Sequence, residues 1–444
     1  MRIIAPKVIL QDGKILTGSA VVIQDGKIVK IGRLSTIKKQ YPKEGIEYWT
    51  DMAMVPGTIN IHNHCFQSLL RGLAVGKPFL TWRDQALYKY SPILTPDDLY
   101  TGSAFAFSEM MKCGVTTVSD FFYVHNDGKE SDEAIVQAAK DVGIRLVLAR
   151  TMYDWTGAPA GYVESIDTAV NNTRDLAEKY NGSESLMTNI LPAPHSLHAA
   201  STDMVKAGFE LARELGTKFH IHVAEEPFEV EDVKKQFGVR PVELLDKIGV
   251  LGDKMVAVHA VWLDENELKL FCDKKASLAY CPSSNMFLAD GVTNIKEMVK
   301  NGVTIGVGTD GACSNNRISV FEEMRMASLL QKADKLDALT IDSDVAFDFG
   351  TKNGGKILDL PIGEIREGCR ADLVGLDLND FSMQPMFDNY EQLLPNIVYS
   401  MQPTAIRKVV VNGRTTVDRG HMDTLSEEMV TERVKKLMKK FQSV

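Results

Sequence analysis

Between residues 58 and 308 the chain repeats one rhythm: a short apolar run, a polar break, then a longer segment with apolar residues three and four apart. No other feature limits the fold as strongly. Short apolar runs alternating with segments of helical period are the signature of βα units that feed a parallel sheet. Strands are predicted over 58–62, 116–120, 145–150, 187–192, 218–223, 255–259, 277–280 and 304–308. Between them, the spacing predicts helices over 132–142, 165–180, 202–215, 264–273 and 294–301. Eight strands are what a closed (β/α)8 barrel requires, and such a barrel absorbs about 250 residues.

The flanks have a different texture. Near the start, short apolar runs are separated by Gln11-Asp12-Gly13-Lys14 and Gln24-Asp25-Gly26-Lys27. Near the end, runs at 371–376 and 408–411 lead to Asn412-Gly413 and a further run at 414–417. Asp-Gly and Asn-Gly pairs between apolar runs are hairpin signals. Both ends are therefore expected to pack together as one small β domain. The expected division is 1–56 and 361–444 for that domain and 57–360 for the barrel. Residues 426–441 read as an amphipathic helix with a basic face, solvated on the surface.

A formal net charge of −9 argues against a nucleic-acid surface, which shows as a basic excess. No apolar run is long enough to span a bilayer. The stretch Met1-Arg2-Ile3-Ile4-Ala5-Pro6-Lys7 lacks the apolar core of a secretory signal. Cys65, Cys113, Cys272, Cys281, Cys313 and Cys369 form no CxxC pair. The expectation is a cytoplasmic enzyme with reduced thiols, a small-molecule substrate, and no nucleic-acid or membrane partner.

The chemistry-bearing residues share one address. His62-Asn63-His64 closes the first predicted barrel strand. Residues two apart on a strand point the same way, so both imidazoles can share one metal at the mouth where barrel chemistry sits. His220 and His222 share a face at the end of the fifth strand, and spacing does not choose between them. Glu225 follows where the chain should bend over the site, and a carboxylate there can serve as general acid or base. Glu226 reads as a surface residue at a helix start. His259 ends the sixth strand, and Asp310 follows the eighth between glycines. Each alone has a bland reading, as a packed histidine or a turn residue. Together they fall at strand ends on one barrel face, where random placement would scatter them. Three histidines and a carboxylate suit Zn²⁺, and also Fe²⁺ or Mn²⁺.

These residues, with Pro56-Gly57-Thr58-Ile59-Asn60-Ile61 before His62, Cys281-Pro282-Ser283-Ser284-Asn285-Met286, and Gly311-Ala312-Cys313-Ser314-Asn315-Asn316 after Asp310, resemble the amidohydrolase superfamily in its mononuclear deaminase-like branch. The resemblance runs along essentially the whole chain. It implies a distorted (β/α)8 TIM-like barrel with a small β-sandwich domain built from both chain ends. It makes His62, His64, His222 and Asp310 the metal ligands, and so selects His222 over His220. It makes Glu225 the proton shuttle, with His259 and Asp310 handling the proton of the attacking water. Binuclear members carry a bridging lysine on the fourth strand, and residues 187–198 contain none, so one metal is expected. The implied reaction is hydrolytic deamination of an amino-substituted N-heterocycle with release of ammonia. Relatives are often oligomeric, which leaves a homo-oligomer open.

Within that branch the features divide. Ser68-Leu69-Leu70-Arg71-Gly72, Ala193-Pro194-His195-Ser196 and Trp82 resemble 5′-methylthioadenosine/S-adenosylhomocysteine deaminases. There His195 would meet a purine nitrogen, and Arg150 matches an arginine that helps bind a carboxylate, with a barrel-lining salt bridge as the equal alternative for Arg150. The ribose-holding glutamate of that group has no counterpart in Tyr90-Ser91-Pro92-Ile93-Leu94. Gln67, Asp120 and Tyr123-Val124-His125 instead resemble 8-oxoguanine, isoxanthopterin and triazine hydrolases. The expected substrate-binding set is Gln67, Trp82, Arg150 and His195. The competing readings are an s-triazine chlorohydrolase-like hydrolase and, remotely, a non-catalytic scaffold.

Overall fold

The computed structural model describes residues 1–443. The two chain ends meet in one sheet. From the first end come β1 (Arg2–Gln11), β2 (Lys14–Thr17), β3 (Ser19–Gln24), β4 (Lys27–Arg33) and β5 (Ile46–Pro56). The middle supplies β6 (Thr58–Asn63), β7 (Val115–Phe122), β8 (Arg145–Met152), β9 (Thr188–Pro194), β10 (Phe219–Val223), β11 (Met255–His259), β12 (Ser277–Tyr280) and β13 (Ile305–Val307). The second end adds β14 (Leu373–Asp377), β15 (Ile406–Val411), β16 (Arg414–Asp418) and β17 (His421–Met422).

The end sheet is nine-stranded, in the order β17-β16-β15-β14-β5-β1-β3-β4, with β2 paired on β1. The join between the chain ends is β5 against β14, antiparallel, with Pro56 opposite Leu373. Its hairpins turn where the sequence indicated. Asp12-Gly13, Asp25-Gly26 and Asn412-Gly413 all have positive φ at both residues, as the tight primed turns that match strand twist require. β5 is an eleven-residue strand that the short-run reading of the first fifty residues did not resolve.

The middle forms two parallel four-stranded sheets, β6-β7-β8-β9 and β10-β11-β12-β13. Every residue of β7 and β8 is buried, so neither strand has the solvent-facing side of a half-exposed sheet. The two sheets meet at both edges. The Asp310 N–H donates to the His62 carbonyl at 3.0 Å, and the His222 N–H donates to the His195 carbonyl at 2.9 Å. The first of these joins needs Gly308, because a Cβ there would lie 2.8 Å from the backbone oxygen and Cβ of His62.

A buried ion pair ties the two parts together: Arg145 at the start of β8 donates to Asp372 at 2.9 Å. The terminal helix Glu427–Phe441 is docked rather than merely solvated. Val430, Leu437 and Phe441 are buried, and Lys440 pairs with Asp98 at 2.6 Å on helix Pro96–Lys112. None of the described residues forms a helix long and apolar enough to cross a membrane.

Candidate metal centre

Parallel strands expose their C-terminal ends together, and the polar groups collect there. His62 lies on β6 and His64 follows it; His222 lies on β10, His259 ends β11, and Asp310 follows β13. At these ends the backbone leaves the extended region: Ala224, His259, Ala260 and Asp310 all have positive φ. Such conformations cost free energy and cluster where surrounding structure fixes a side chain for use.

The resulting geometry is convergent. The Nε2 atoms of His222 and His62 face each other at 3.3 Å. Asp310 Oδ1 lies 3.5 Å from His62 Nε2 and 3.2 Å from His64 Nε2. Glu225 Oε1 lies 3.3 Å from His259 Nε2. Single donor atoms from His62, His64 and Asp310 lie within 4.8 Å of one another, as do those from His62, His222 and His259 and those from Glu225, His259 and Asp310. His220, by contrast, is fully buried with both ring nitrogens unpartnered and belongs to none of these groups.

The outer contacts of the imidazoles turn these nitrogens inward. His64 Nδ1 donates to the Phe121 carbonyl at 2.5 Å, and His222 Nδ1 to the His195 carbonyl at 3.0 Å. His259 Nδ1 donates to Asn285 Oδ1 at 2.9 Å, which gives the Cys281–Met286 stretch a structural task. With Nδ1 of His64 and of His222 committed as donors, their Nε2 atoms present lone pairs, and His64 Nε2 faces the Asp310 carboxylate at 3.2 Å, acceptor against acceptor, which a cation between them satisfies. Ring nitrogens fixed by backbone carbonyls are the usual support of metal-binding histidines. The donor set therefore fits a divalent ion.

Electrostatics follow from burial. It lowers the His64 imidazole to about 3 and that of His259 to about 4, and it drives His222 well down, so these rings are neutral donors of electron pairs. Burial alone would raise the Asp310 carboxyl, but a hydrogen bond from His62 and the facing imidazoles outweigh it and hold it well below the usual range. Glu225 is pushed far the other way, first by burial and then by the charges of Asp290, Glu229 and Asp310. Raising a carboxyl in this way suits it to carry a proton as a general acid. Glu226 is not a plain surface residue. It is half-buried against Asp290, whose carboxyl is raised to about 10 by its own burial and by Glu226.

A cavity opens above the cluster. Gln67, Trp82, Tyr123 and His195 line it beside the histidines. Gln67 donates to Tyr123 Oη at 2.9 Å and accepts from the Cys313 thiol at 3.1 Å. A Cβ at Gly311 would fall 1.7 Å from Gln67 Oε1, so that glycine makes room for the amide. The Trp82 indole N–H donates to the Cys313 carbonyl at 3.0 Å, and His195 stacks on His222 at 4.9 Å.

Arg150 is not part of this cavity. It is fully buried on the far side of β8, donating to Asp132 at 2.9 Å and to Glu164 at 2.8 Å. With both carboxylates engaged it is a wall-bracing ion network, and its expected contact with substrate is corrected. Asp120 and His125 also lie outside: Asp120 accepts from Asn63 Nδ2 and the Cys65 N–H, each at 2.7 Å, and His125 pairs with Asp132 at 3.1 Å. The sequence reading missed Arg83, Tyr88, Tyr153, Tyr162 and His198, which line the cavity away from the histidines. Tyr153 directly follows β8, so the strand-end rule could have found it. Arg83 and Tyr88 lie in a short helical segment with no such address.

The amidohydrolase family pattern matches residues 53–416. The chain is 32% identical over 420 residues to a 5-methylthioadenosine/S-adenosylhomocysteine deaminase of Thermodesulfovibrio yellowstonii, covering 94% of this chain and 92% of that one. It is 33% identical over 430 residues to a 5′-deoxyadenosine deaminase of Methanobrevibacter smithii, covering 96% and 94%. Among solved structures, an adenosine deaminase of Xanthomonas campestris with bound zinc superposes with a TM-score of 0.91 at 25% identity, covering 100% of this chain and 98% of the other.

Proposed function

This chain belongs to the amidohydrolase family, and from that premise we propose that it is a metal-dependent hydrolytic deaminase of a 6-aminopurine nucleoside or a related amino-substituted N-heterocycle. The observation that carries the reading is the meeting of His62, His64, His222 and Asp310 with the buried carboxyl of Glu225 beneath one cavity. Relatives over 90% of the chain that deaminate adenosine derivatives support the substrate class. The zinc of the Xanthomonas campestris enzyme supports Zn²⁺ as the ion.

In this reading His62, His64, His222 and Asp310 hold one divalent ion, which when bound supplies an acidified water as nucleophile. Glu225 gives its proton to a ring nitrogen of the substrate, which makes the adjacent amino-bearing carbon electrophilic. His259, fixed by Asn285, keeps its Nε2 toward Glu225 and takes or returns a proton there. Asp310 accepts the proton of the attacking water; Glu225, reprotonated from the new hydroxyl of the adduct, passes that proton to the departing amine so that ammonia leaves, and the proton held by Asp310 returns to Glu225. Gln67 and His195 orient the ring through polar contacts, Trp82 supplies a flat wall, and Tyr123 and Tyr153 narrow the space around it. Excluding bulk water strengthens each of these contacts.

The same reading takes the two four-stranded sheets as one distorted eight-stranded barrel over 57–360, which the hydrogen bonds at both seams support. It takes 1–56 and 361–444 as a β-sandwich, supported by the separate apolar cluster of Ile4, Val21, Trp49, Leu373 and Val410 drawn from both chain ends. The test is ammonia release from adenosine, methylthioadenosine, S-adenosylhomocysteine, 5′-deoxyadenosine, guanine, 8-oxoguanine, isoxanthopterin, cytosine and an aminotriazine, with metal analysis of the same sample. Release from an adenosine derivative is the expected result. A metal-loaded protein that releases ammonia from none of them would refute the assignment.

A further inference from the structure

The two oxygens of Asp310 have different surroundings. Oδ1 faces His62 and His64 and accepts the Gly311 N–H at 2.7 Å. Oδ2 accepts two hydroxyls, from Ser284 at 2.6 Å and Ser314 at 2.9 Å. Ser314 shares its one proton with the Gly311 carbonyl at 2.8 Å, and together the two hydroxyls hold Oδ2 away from the histidines and leave Oδ1 for the metal. The two serines stand on different segments, Ser284 after β12 and Ser314 after β13, so the orientation of Asp310 holds only if both segments stay in register.

One residue spans both. Glu323, on helix Val320–Lys335, is completely buried. Its Oε2 accepts the backbone N–H of Ser283 at 3.1 Å, and its Oε1 accepts the side-chain amide of Asn315 at 2.9 Å. Ser283 is the neighbour of Ser284, and Asn315 is the neighbour of Ser314. Asn315 also donates to the Thr309 carbonyl at 2.9 Å, next to Asp310 itself. Both partners of Glu323 are neutral, and a buried carboxylate with only neutral donors is costly to keep. Burial accordingly raises the Glu323 carboxyl to about 8, yet each of its two oxygens meets one N–H, whereas a glutamine at this position has one accepting oxygen.

We propose that Glu323 is a positioning residue for the metal-binding carboxylate: by accepting one N–H from each segment it seats Ser284 and Ser314 on Oδ2 and thereby aims Oδ1 of Asp310 at the histidine pair. The inference rests on the reading of Asp310 as a metal ligand. It acts through the two serines, which separates it from a residue that only supports the fold.

The test uses the full-length chain loaded with zinc, in five forms: parent, Glu323→Gln, Glu323→Ala, the Ser284→Ala/Ser314→Ala pair, and that pair combined with Glu323→Gln. Zinc affinity is measured by competition with a chromogenic chelator, alongside kcat, KM and the Tm of the metal-free proteins. Glu323→Gln is expected to weaken zinc binding about 10- to 100-fold, the range seen for groups that hold metal ligands. It should lower kcat with KM little changed and leave the metal-free Tm near that of the parent. The serine pair should show a similar loss, and adding Glu323→Gln to it should cost little more, because both changes release the same carboxylate. Parental zinc affinity in Glu323→Gln, or losses that add in full, would overturn the proposal while leaving the metal centre intact. Should Glu323→Ala fail to fold, Glu323→Gln decides the question alone. A parent chain that binds no zinc would remove the metal reading and this inference with it.

Discussion

Replacing Glu225 by Gln conserves volume and planarity but removes the transferable proton. The carboxyl is buried with His259 Nε2 at 3.3 Å, so the amide fits without displacing the four proposed metal ligands. Zinc content should therefore stay near one per chain, and KM should change little. General acid–base groups contribute roughly 100- to 10,000-fold to rate, about 3–5 kcal/mol of barrier, and kcat should fall by that factor. A second signature comes from linkage in the chelated protein. Burial and the charges of Asp290, Glu229 and Asp310 raise the Glu225 carboxyl well above its unfolded value. The stability this group contributes is fully present below the ordinary carboxylate range and is lost as pH rises through the raised folded value. Glu225→Gln has no such group, so its metal-free Tm should fall less steeply with rising pH than that of the parent. The assays are ammonia release for kcat and thermal melts from pH 4 to 9. Turnover within about tenfold of the parent, at full zinc occupancy, would refute the proton-carrier role.

Further outcomes follow from the same geometry. Chelation should abolish activity and added divalent metal should restore it, as measured by turnover against titrated zinc; activity that persists after metal removal contradicts the metal reading. Arg150→Met leaves Asp132 and Glu164 buried without their cation and should cost about 3–5 kcal/mol of stability by denaturant melt, with KM unchanged in the folded fraction. A selective rise in KM for carboxylated substrates would return Arg150 to the binding site. Gly311→Ala puts a methyl 1.7 Å from Gln67 Oε1 and must swing that flexible amide off Tyr123 and Cys313. Overpacking of this kind costs about 1–3 kcal/mol, so kcat/KM should fall roughly tenfold or more with a small change in Tm. Parental kcat/KM would show that Gln67 takes no part in substrate binding.

Legibility varied from element to element for physical reasons. β11 and β12 fall on the predicted 255–259 and 277–280, because a buried parallel strand must be apolar throughout and polar residues mark its ends. The hairpins were legible because Gly, Asn and Asp adopt left-handed turn positions most readily. β13 is shorter than the predicted 304–308: only Ile305–Val307 pair as strand. Gly308 belongs instead to the close approach against His62, a demand made by a residue 246 positions away and invisible in local pattern. Arg150 shows the opposite failure. Between its two readings, pocket arginine and wall salt bridge, the local pattern could not choose, and the contacts of its guanidinium are with Asp132 and Glu164.

The sequence by itself determined where the chemistry lies along the chain. Histidines and an aspartate at the ends of apolar runs can only arrive at one edge of a parallel sheet, so the address of the candidate site was readable from periodicity alone. Tertiary structure decided what that address contains. It chose which of His220 and His222 faces His62, sent Arg150 behind the wall, and brought Arg83, Tyr88 and Tyr162 from helical segments and loops to the cavity. It also set the direction in which each group is shifted: the imidazoles and Asp310 downward, Glu225 upward. These are properties of burial and of charges brought together from distant positions, and a linear pattern carries the residue types without the distances that set their energies.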